Sequence, residues 1–244
     1  MKRAVIIGAS SGIGRAMAQM LIQDGWYLGI AGRRTELLDD LCRMAPERVI
    51  AMQIDVTAND CEERLNTLIS RLGGMYLYLH VAGVGWKNPS LDRKKEQATF
   101  MTNAVGFAQM TGAAFRYFAA HTGGHIAIVS SIAGTKGIGV AASYSATKAM
   151  QNTYLQALEQ LATGKKLNIT FTDIRPGFVD TGLLDEEGKR NGAYPMLMPV
   201  GKVARIAVDS IYKKKRIVVI DIKWRIVTLI WRLIPSFLWR RIKL

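Results

Sequence analysis

Ala4-Val5-Ile6-Ile7-Gly8-Ala9-Ser10-Ser11-Gly12-Ile13-Gly14 decides the fold of this 244-residue chain. A short apolar run rich in β-branched residues ends on a glycine-rich turn, and a segment of amphipathic helical period follows at once. Glycines let a backbone turn tightly and come close to a pyrophosphate, and the unpaired N–H groups of a helix N-terminus receive its negative charge. Gly8, Ser10, Ser11, Gly12, Ile13 and Gly14 are therefore the candidate cradle for a dinucleotide. The bland alternative is a purely structural turn, and the strand–loop–helix context weighs against it.

The same alternation continues outward from this unit. Apolar runs near 3–8, 26–31, 49–54, 75–81, 125–130, 168–174 and 216–221 read as strands. Helix-period segments near 13–24, 35–45, 60–72, 92–120, 142–162 and 200–213 lie between them. Strands alternating with helices predict an α/β, doubly wound Rossmann fold: a seven-stranded parallel sheet with helices on both faces and a ligand crevice at the carboxyl ends of the strands. The 49% hydrophobic and 21% charged composition suits one domain, residues 1–221, followed by a distinct tail, 222–244. Ala4 to Ile7 is too short for the core of a secretion signal, which predicts an intracellular, cytoplasmic body. Cys42 and Cys61 read as free thiols, and no metal-ligand spacing occurs.

The end of the second strand speaks to the ribose. An acid there accepts the 2′-hydroxyl of the unphosphorylated cofactor, but this chain reads Ala31-Gly32-Arg33-Arg34. Two guanidiniums and no carboxylate favour NADP(H) over NAD(H). Asp55, after the third strand, is a candidate for the adenine edge, or simply a helix cap. Tyr144 and Lys148 stand four residues apart, one helical turn, so both lie on one helix face. A phenol titrates near pH 10, and a neighbouring ammonium favours its ionised form. With the Ser131 hydroxyl alongside, this group can exchange a proton with a carbonyl or alcohol oxygen.

Over roughly residues 2–221 the chain resembles the short-chain dehydrogenase/reductase family. The glycine loop looks like that family's cofactor loop, and Tyr144-x-x-x-Lys148 with Ser131 looks like its active site. Asn103, in Asn103-Ala104-Val105-Gly106, matches the helical asparagine that completes the family's tetrad. Arg175-Pro176-Gly177-Phe178-Val179-Asp180-Thr181 resembles the segment that contacts the nicotinamide and pyrophosphate. The resemblance implies Tyr144 as general acid or base and Ser131 as the hydrogen-bond donor to the reacting oxygen. It implies that Lys148 lowers the tyrosine pKa and holds the ribose, and that Asn103 holds a water linking Lys148 to solvent. Val56, Ala82, Gly83, Pro176, Gly177, Val179 and Thr181 join Tyr144 and Lys148 as implied cofactor contacts, and a homodimer or homotetramer is the implied assembly. Two departures stand out: Ile7 replaces a threonine before the first loop glycine, and His80-Val81-Ala82-Gly83 replaces a pair of asparagines before Ala-Gly. Losing both polar partners together avoids stranding one of them, so Ile7 and Val81 are expected in apolar contact. His80 reads as a hydrogen-bonded core residue, and His121 and His125 as loop residues.

Residues 182–199 carry Leu183, Leu184, Tyr194, Met196, Leu197 and Met198, and read as a lid whose apolar ends favour an apolar or lipid-like carbonyl or alcohol substrate. The tail completes the pattern. Of the formal charge of +14, +9 lies between Lys213 and Leu244, where ten lysines and arginines face one acid, Asp221. Arg225, Thr228, Arg232, Ser236, Arg240 and Lys243 form a polar stripe on an otherwise apolar helix bent at Pro235. With Arg232 inside, the segment is too short and too charged to span a bilayer, so peripheral contact with a membrane through 223–244 is one reading. Packing on a second subunit or over the crevice is another, and no groove-reading element suggests nucleic acid. The rival to an enzyme is a non-catalytic dinucleotide-binding or membrane-associated scaffold.

Overall fold

The computed structural model describes residues 2–242. Its strands are β1 (Arg3–Ile7), β2 (Tyr27–Gly32), β3 (Val49–Gln53), β4 (Leu77–His80), β5 (Gly124–Val129), β6 (Ile169–Arg175), β7 (Val179–Asp180), β8 (Met198–Pro199) and β9 (Ile217–Val219). Its helices are α1 (Gly12–Gln23), α2 (Asp39–Met44), α3 (Cys61–Leu72), α4 (Arg93–Phe100), α5 (Phe107–Ala120), α6 (Ala142–Gly164), α7 (Glu186–Arg190), α8 (Val200–Tyr212), α9 (Ile222–Leu233) and α10 (Ser236–Trp239). Seven strands form one sheet in the order β3-β2-β1-β4-β5-β6-β9, and every neighbouring pair is parallel. The order reverses between β1 and β4, which opens the crevice where the glycine loop sits.

Central strands that carry helices on both faces must be apolar on both, and β1, β4 and β5 are buried almost throughout. One core cluster joins Ile6, Leu28 and Leu79 to Met17 and Leu21 of α1, Leu41 of α2 and Val203 of α8. The opposite cluster joins Val5, Ile7 and Ile126 to Leu65 of α3, Phe107 of α5 and Leu155 of α6. The doubly wound architecture read from the alternation is the one observed.

The differences from the sequence reading are local. The helix expected over 35–45 is a 3₁₀ turn, Thr35–Leu37, followed by α2. The single helix expected over 92–120 widens at Met101–Gly106 into a π turn, joining α4 to α5. His125 is not a loop residue: it stands in β5, buried, with Nε2 2.8 Å from the Thr172 hydroxyl. The lid region holds α7 and a short parallel pair, β7 with β8. Tyr194 and Met198 are buried in it, Met198 within a core cluster and Tyr194 against Phe178, whereas Leu183 and Met196 stay exposed.

The tail also differs, because its stripe periodicity does not say which face docks. Trp224, Thr228 and Trp231 are the buried face of α9, although Thr228 belongs by spacing to the polar stripe. The Thr228 hydroxyl is satisfied within the helix, donating to the Trp224 and Arg225 carbonyls. Pro235 does end α9, and α10 follows it. Lys243, the last member of the stripe, lies outside the described residues.

Candidate active site

Ser131, Tyr144, Lys148 and Asn103 converge where β5, α6 and the π turn meet. Ser131 stands two residues beyond Val129, the end of β5, and caps the turn Ile132–Thr135, its Oγ accepting from the Ala133 N–H at 3.1 Å. Tyr144 and Lys148 lie one turn apart in α6, with the Lys148 Nζ 5.7 Å from the tyrosine ring centroid. Burial raises the Tyr144 phenol above its ordinary value, and a hydrogen bond with Ser131 works in the opposite direction. Burial also pulls the Lys148 ammonium down, to about 8, against the attraction of Asp173.

The lysine does not spend its donors on the phenol. It donates to the Val129 carbonyl at 3.1 Å and to Gln151 Oε1 at 3.1 Å. The other end of that carboxamide donates to the Asn103 carbonyl at 2.8 Å. Thus Gln151, a residue the sequence reading passed over, bridges Lys148 and Asn103 directly. The Asn103 side chain does something else: Oδ1 accepts from the Val84 N–H at 2.9 Å, and Nδ2 donates to the Val84 carbonyl at 2.7 Å. This two-point clamp fixes the loop after β4. Asn103 lies within the π turn, and its carbonyl takes the Gln151 donor as an acceptor bond from outside its own helix. Asp173 was also missed. It is fully buried, takes a hydrogen bond from Ser130, and pairs with Arg175 at 2.6 Å. Its only sequence signal is an acid two residues before the arginine of the Arg175-Pro176-Gly177 segment.

The glycine loop has the shape its sequence promised. A Cβ on Gly8 would fall 2.5 Å from the Ala82 nitrogen, and one on Gly14 would fall 2.1 Å from the Gly8 carbonyl oxygen. Gly8 also has φ +93°, in the left-handed region that favours glycine. Ser11 precedes α1 without a side-chain cap bond, leaving the N–H groups of the first turn open to an anion. Arg34 reaches back over the loop, its Nη2 donating to the Ser11 hydroxyl at 3.2 Å. The Arg33 side chain is exposed, and its carbonyl accepts from Gln53 at 3.1 Å. Asp55 binds the Thr57 N–H and hydroxyl, so it caps its own turn. The Val56 carbonyl lies where a Cβ on Gly106 would fall, 2.5 Å away. Gly83 sits over Asn103 and Lys148, and Thr181 over Gly12, with Ser10 beside Gly32.

Pro176, Gly177 and Val179 follow β6 toward the same crevice. The Pro176 carbonyl accepts from the Ile132 N–H at 3.1 Å, and the Val179 side chain is buried. Gly177 leaves room for the tail: a Cβ there would fall 2.2 Å from the Trp224 indole. That close approach docks α9 on the segment next to the site. Trp231 donates to the Thr135 hydroxyl and Trp239 to the Gly137 carbonyl, both at 2.8 Å, while Lys136 donates to the Ile234 carbonyl. The tail therefore borders the loop that carries Ser131.

The two departures resolve without a side-chain contact between them. Ile7 lies in the cluster under α3 and α5, and Val81 packs against the opposite cluster, so the expected Ile7–Val81 contact does not form. The Ile7 carbonyl instead accepts from both the Val81 and the Ala82 N–H, at 2.8 and 2.9 Å. His80, paired in register with Ile7, is buried, and its Nδ1 is 2.8 Å from the Tyr78 hydroxyl. Burial lowers its pKa to about 3, so the ring is neutral at any ordinary pH.

Residues 2–192 match the sequence pattern described as short chain dehydrogenase. An uncharacterized oxidoreductase of Myxococcus xanthus is 33% identical over 203 residues, covering 81% of this chain and 78% of that protein. Another, of Staphylococcus epidermidis, is 32% identical over 190 residues, covering 75% and 80%. Among solved structures, an alcohol dehydrogenase from the archaeon Thermococcus sibiricus complexed with 5-hydroxy-NADP superposes with a TM-score of 0.76 at 23% identity, covering 90% of this chain and 96% of that one. The closed form of a serine dehydrogenase complexed with NADP+ gives 0.77 at 22% identity, covering 88% and 92%. At these identities the two structures speak for the fold.

Proposed function

The chain belongs to the short chain dehydrogenase family and is an oxidoreductase of that type, and on that premise we propose that it exchanges a hydride between NADP(H) and the carbonyl or alcohol carbon of an apolar substrate. The convergence of Ser131, Tyr144 and Lys148 beside the glycine loop carries this reading. When bound, the nicotinamide supplies or takes the hydride. Tyr144 Oη gives its proton to the carbonyl oxygen in reduction and takes it back in oxidation, and Ser131 Oγ donates to the same oxygen. Lys148 uses two of its three N–H groups on Val129 and Gln151, which leaves one for the cofactor ribose. The loop glycines and the open start of α1 fit a pyrophosphate, and burial of the phenol disfavours its ionised form, keeping the proton that reduction requires.

Arg34 supports the phosphorylated cofactor, because it lies over the loop with no acid at the end of β2 to oppose it. A guanidinium contact to a phosphate contributes about 1.5–3 kcal/mol, or about ten- to hundredfold in affinity. Arg34→Glu should weaken NADPH binding by about that factor and leave NADH binding within about threefold, as read by nucleotide fluorescence titration. Equal affinity of the unaltered protein for both nucleotides would contradict the preference.

The second part of the reading concerns the tail. At 3.6 residues per turn, Ile222, Ile226, Leu229, Ile230 and Leu233 form one exposed stripe on α9, opposite the docked Trp224 and Trp231. Lys223 flanks the stripe on one side, and Arg225 and Arg232 on the other. Apolar side chains between two rows of cations fit an anionic lipid surface, with the stripe in the acyl boundary and the cations among headgroups. Among the described residues no helix is long and apolar enough to cross a membrane. Since α9 also borders the Ser131 loop, docking would set the crevice mouth at the lipid surface, which supports an apolar substrate. A second copy fits the stripe less well, because like charges would meet.

A further inference from the structure

We infer that Gln151 is a positioning residue of the active site: its carboxamide locks the Lys148 ammonium to the Asn103 carbonyl, and so sets the direction and the protonation of the lysine. The inference rests on the redox reading of Lys148 given above, but its geometry stands by itself. Gln151 follows Lys148 by three residues in α6, which places both on the face turned toward β5 and the π turn. It is 1% exposed, and both ends of its amide are used. Oε1 accepts from Lys148 at 3.1 Å and Nε2 donates to Asn103 at 2.8 Å. Turning the amide over would set N–H against ammonium and carbonyl against carbonyl, so only one orientation satisfies both neighbours.

A lysine buried to this degree keeps its charge only through such acceptors. The groups facing it are few. Tyr144 is on the same helix, neutral His80 on β4, and Asp173 on β6, where Arg175 already neutralises it. The uncharged Val129 carbonyl and Gln151 supply the remaining direct contacts. Of these, Gln151 alone combines a side-chain acceptor on the ammonium with a second anchor on the π turn. An apolar residue at 151 would leave the ammonium one acceptor short and the Asn103 carbonyl without this donor. An acid there would add a negative charge next to the ammonium.

Opposite substitutions should therefore move the lysine in opposite directions, which a merely structural role would not produce. In full-length protein labelled with ¹³Cε-lysine, the Lys148 resonance is identified by its absence from Lys148→Arg and titrated in the unaltered protein, Gln151→Met and Gln151→Glu. The midpoint, about 8 in the unaltered protein, should fall by roughly one unit in Gln151→Met and rise by roughly one unit in Gln151→Glu. The basic limb of kcat/KM should follow the same two shifts. Midpoints that stay in place in both variants, or move the same way, overturn the role. Because the resonance reports on Lys148 without turnover, a protein with no reductase activity would sink the redox reading while leaving this test intact.

Discussion

Tyr144 and Lys148 were legible as a pair because a four-residue spacing on a helix needs no tertiary information. Their surroundings were not. Gln151 looks like any polar helix residue until the π turn brings the Asn103 carbonyl within reach, and that turn leaves no mark in the hydrophobic period. His125 was misread for a similar reason, since the sequence cannot show that Thr172 waits on the next strand. The two buried histidines carry a consequence for stability. Burial lowers His80 to about 3 and His125 to about 4, below the ordinary value of 6.5. Between those limits the unfolded chain binds protons that the folded one refuses, so stability falls as pH drops from 6.5 toward 4. At pH 5 each should cost about 2 kcal/mol relative to neutral pH. Urea unfolding at pH 7.5 and 5.0 checks this: His125→Gln should recover about half of the loss, and an equal loss in both proteins would contradict it.

Elements were read well where a period met a boundary signal and less well where docking chose among faces. The strand–loop–helix unit at Gly8–Gly14 was explicit, because glycine is required where a Cβ would strike backbone. For α9 the sequence showed apolar residues around most of the helix, and only the fold reveals that the tryptophans face inward and the aliphatic stripe outward. The exposed stripe makes the lipid reading testable without unfolding anything, since Leu229 and Leu233 are 66% and 75% exposed. The protein should cosediment with vesicles rich in phosphatidylglycerol, and less so as salt rises. Leu229→Ser with Leu233→Ser should cut the partition by at least about tenfold, given the apolar area each leucine would bury. Equal sedimentation of both proteins, or none of either, contradicts a lipid partner, and loss of a dimer in the double variant would assign the stripe to a second copy.

At the scale of the whole molecule, alternation and crossover handedness let the doubly wound parallel sheet be read in advance, and the fold adds the strand order β3-β2-β1-β4-β5-β6-β9. That order places the glycine loop, the Asn103 turn, Ser131 and the segment after β6 at one edge of the sheet, although they lie far apart in sequence. The apolar spacing of 182–199 could not say which of its side chains are buried: Met198, in β8, joins a core cluster, and Tyr194 is buried against Phe178 with its hydroxyl on Asp185. The central claim is that this assembled edge transfers a hydride with Tyr144 as the proton donor. NADPH oxidation against a graded series of apolar ketones and aldehydes, comparing the unaltered protein with Tyr144→Phe, tests it most directly. Turnover in the former and a loss of about a hundredfold or more in the latter, with NADPH affinity nearly unchanged, is the predicted result. Equal turnover in the two proteins would contradict it.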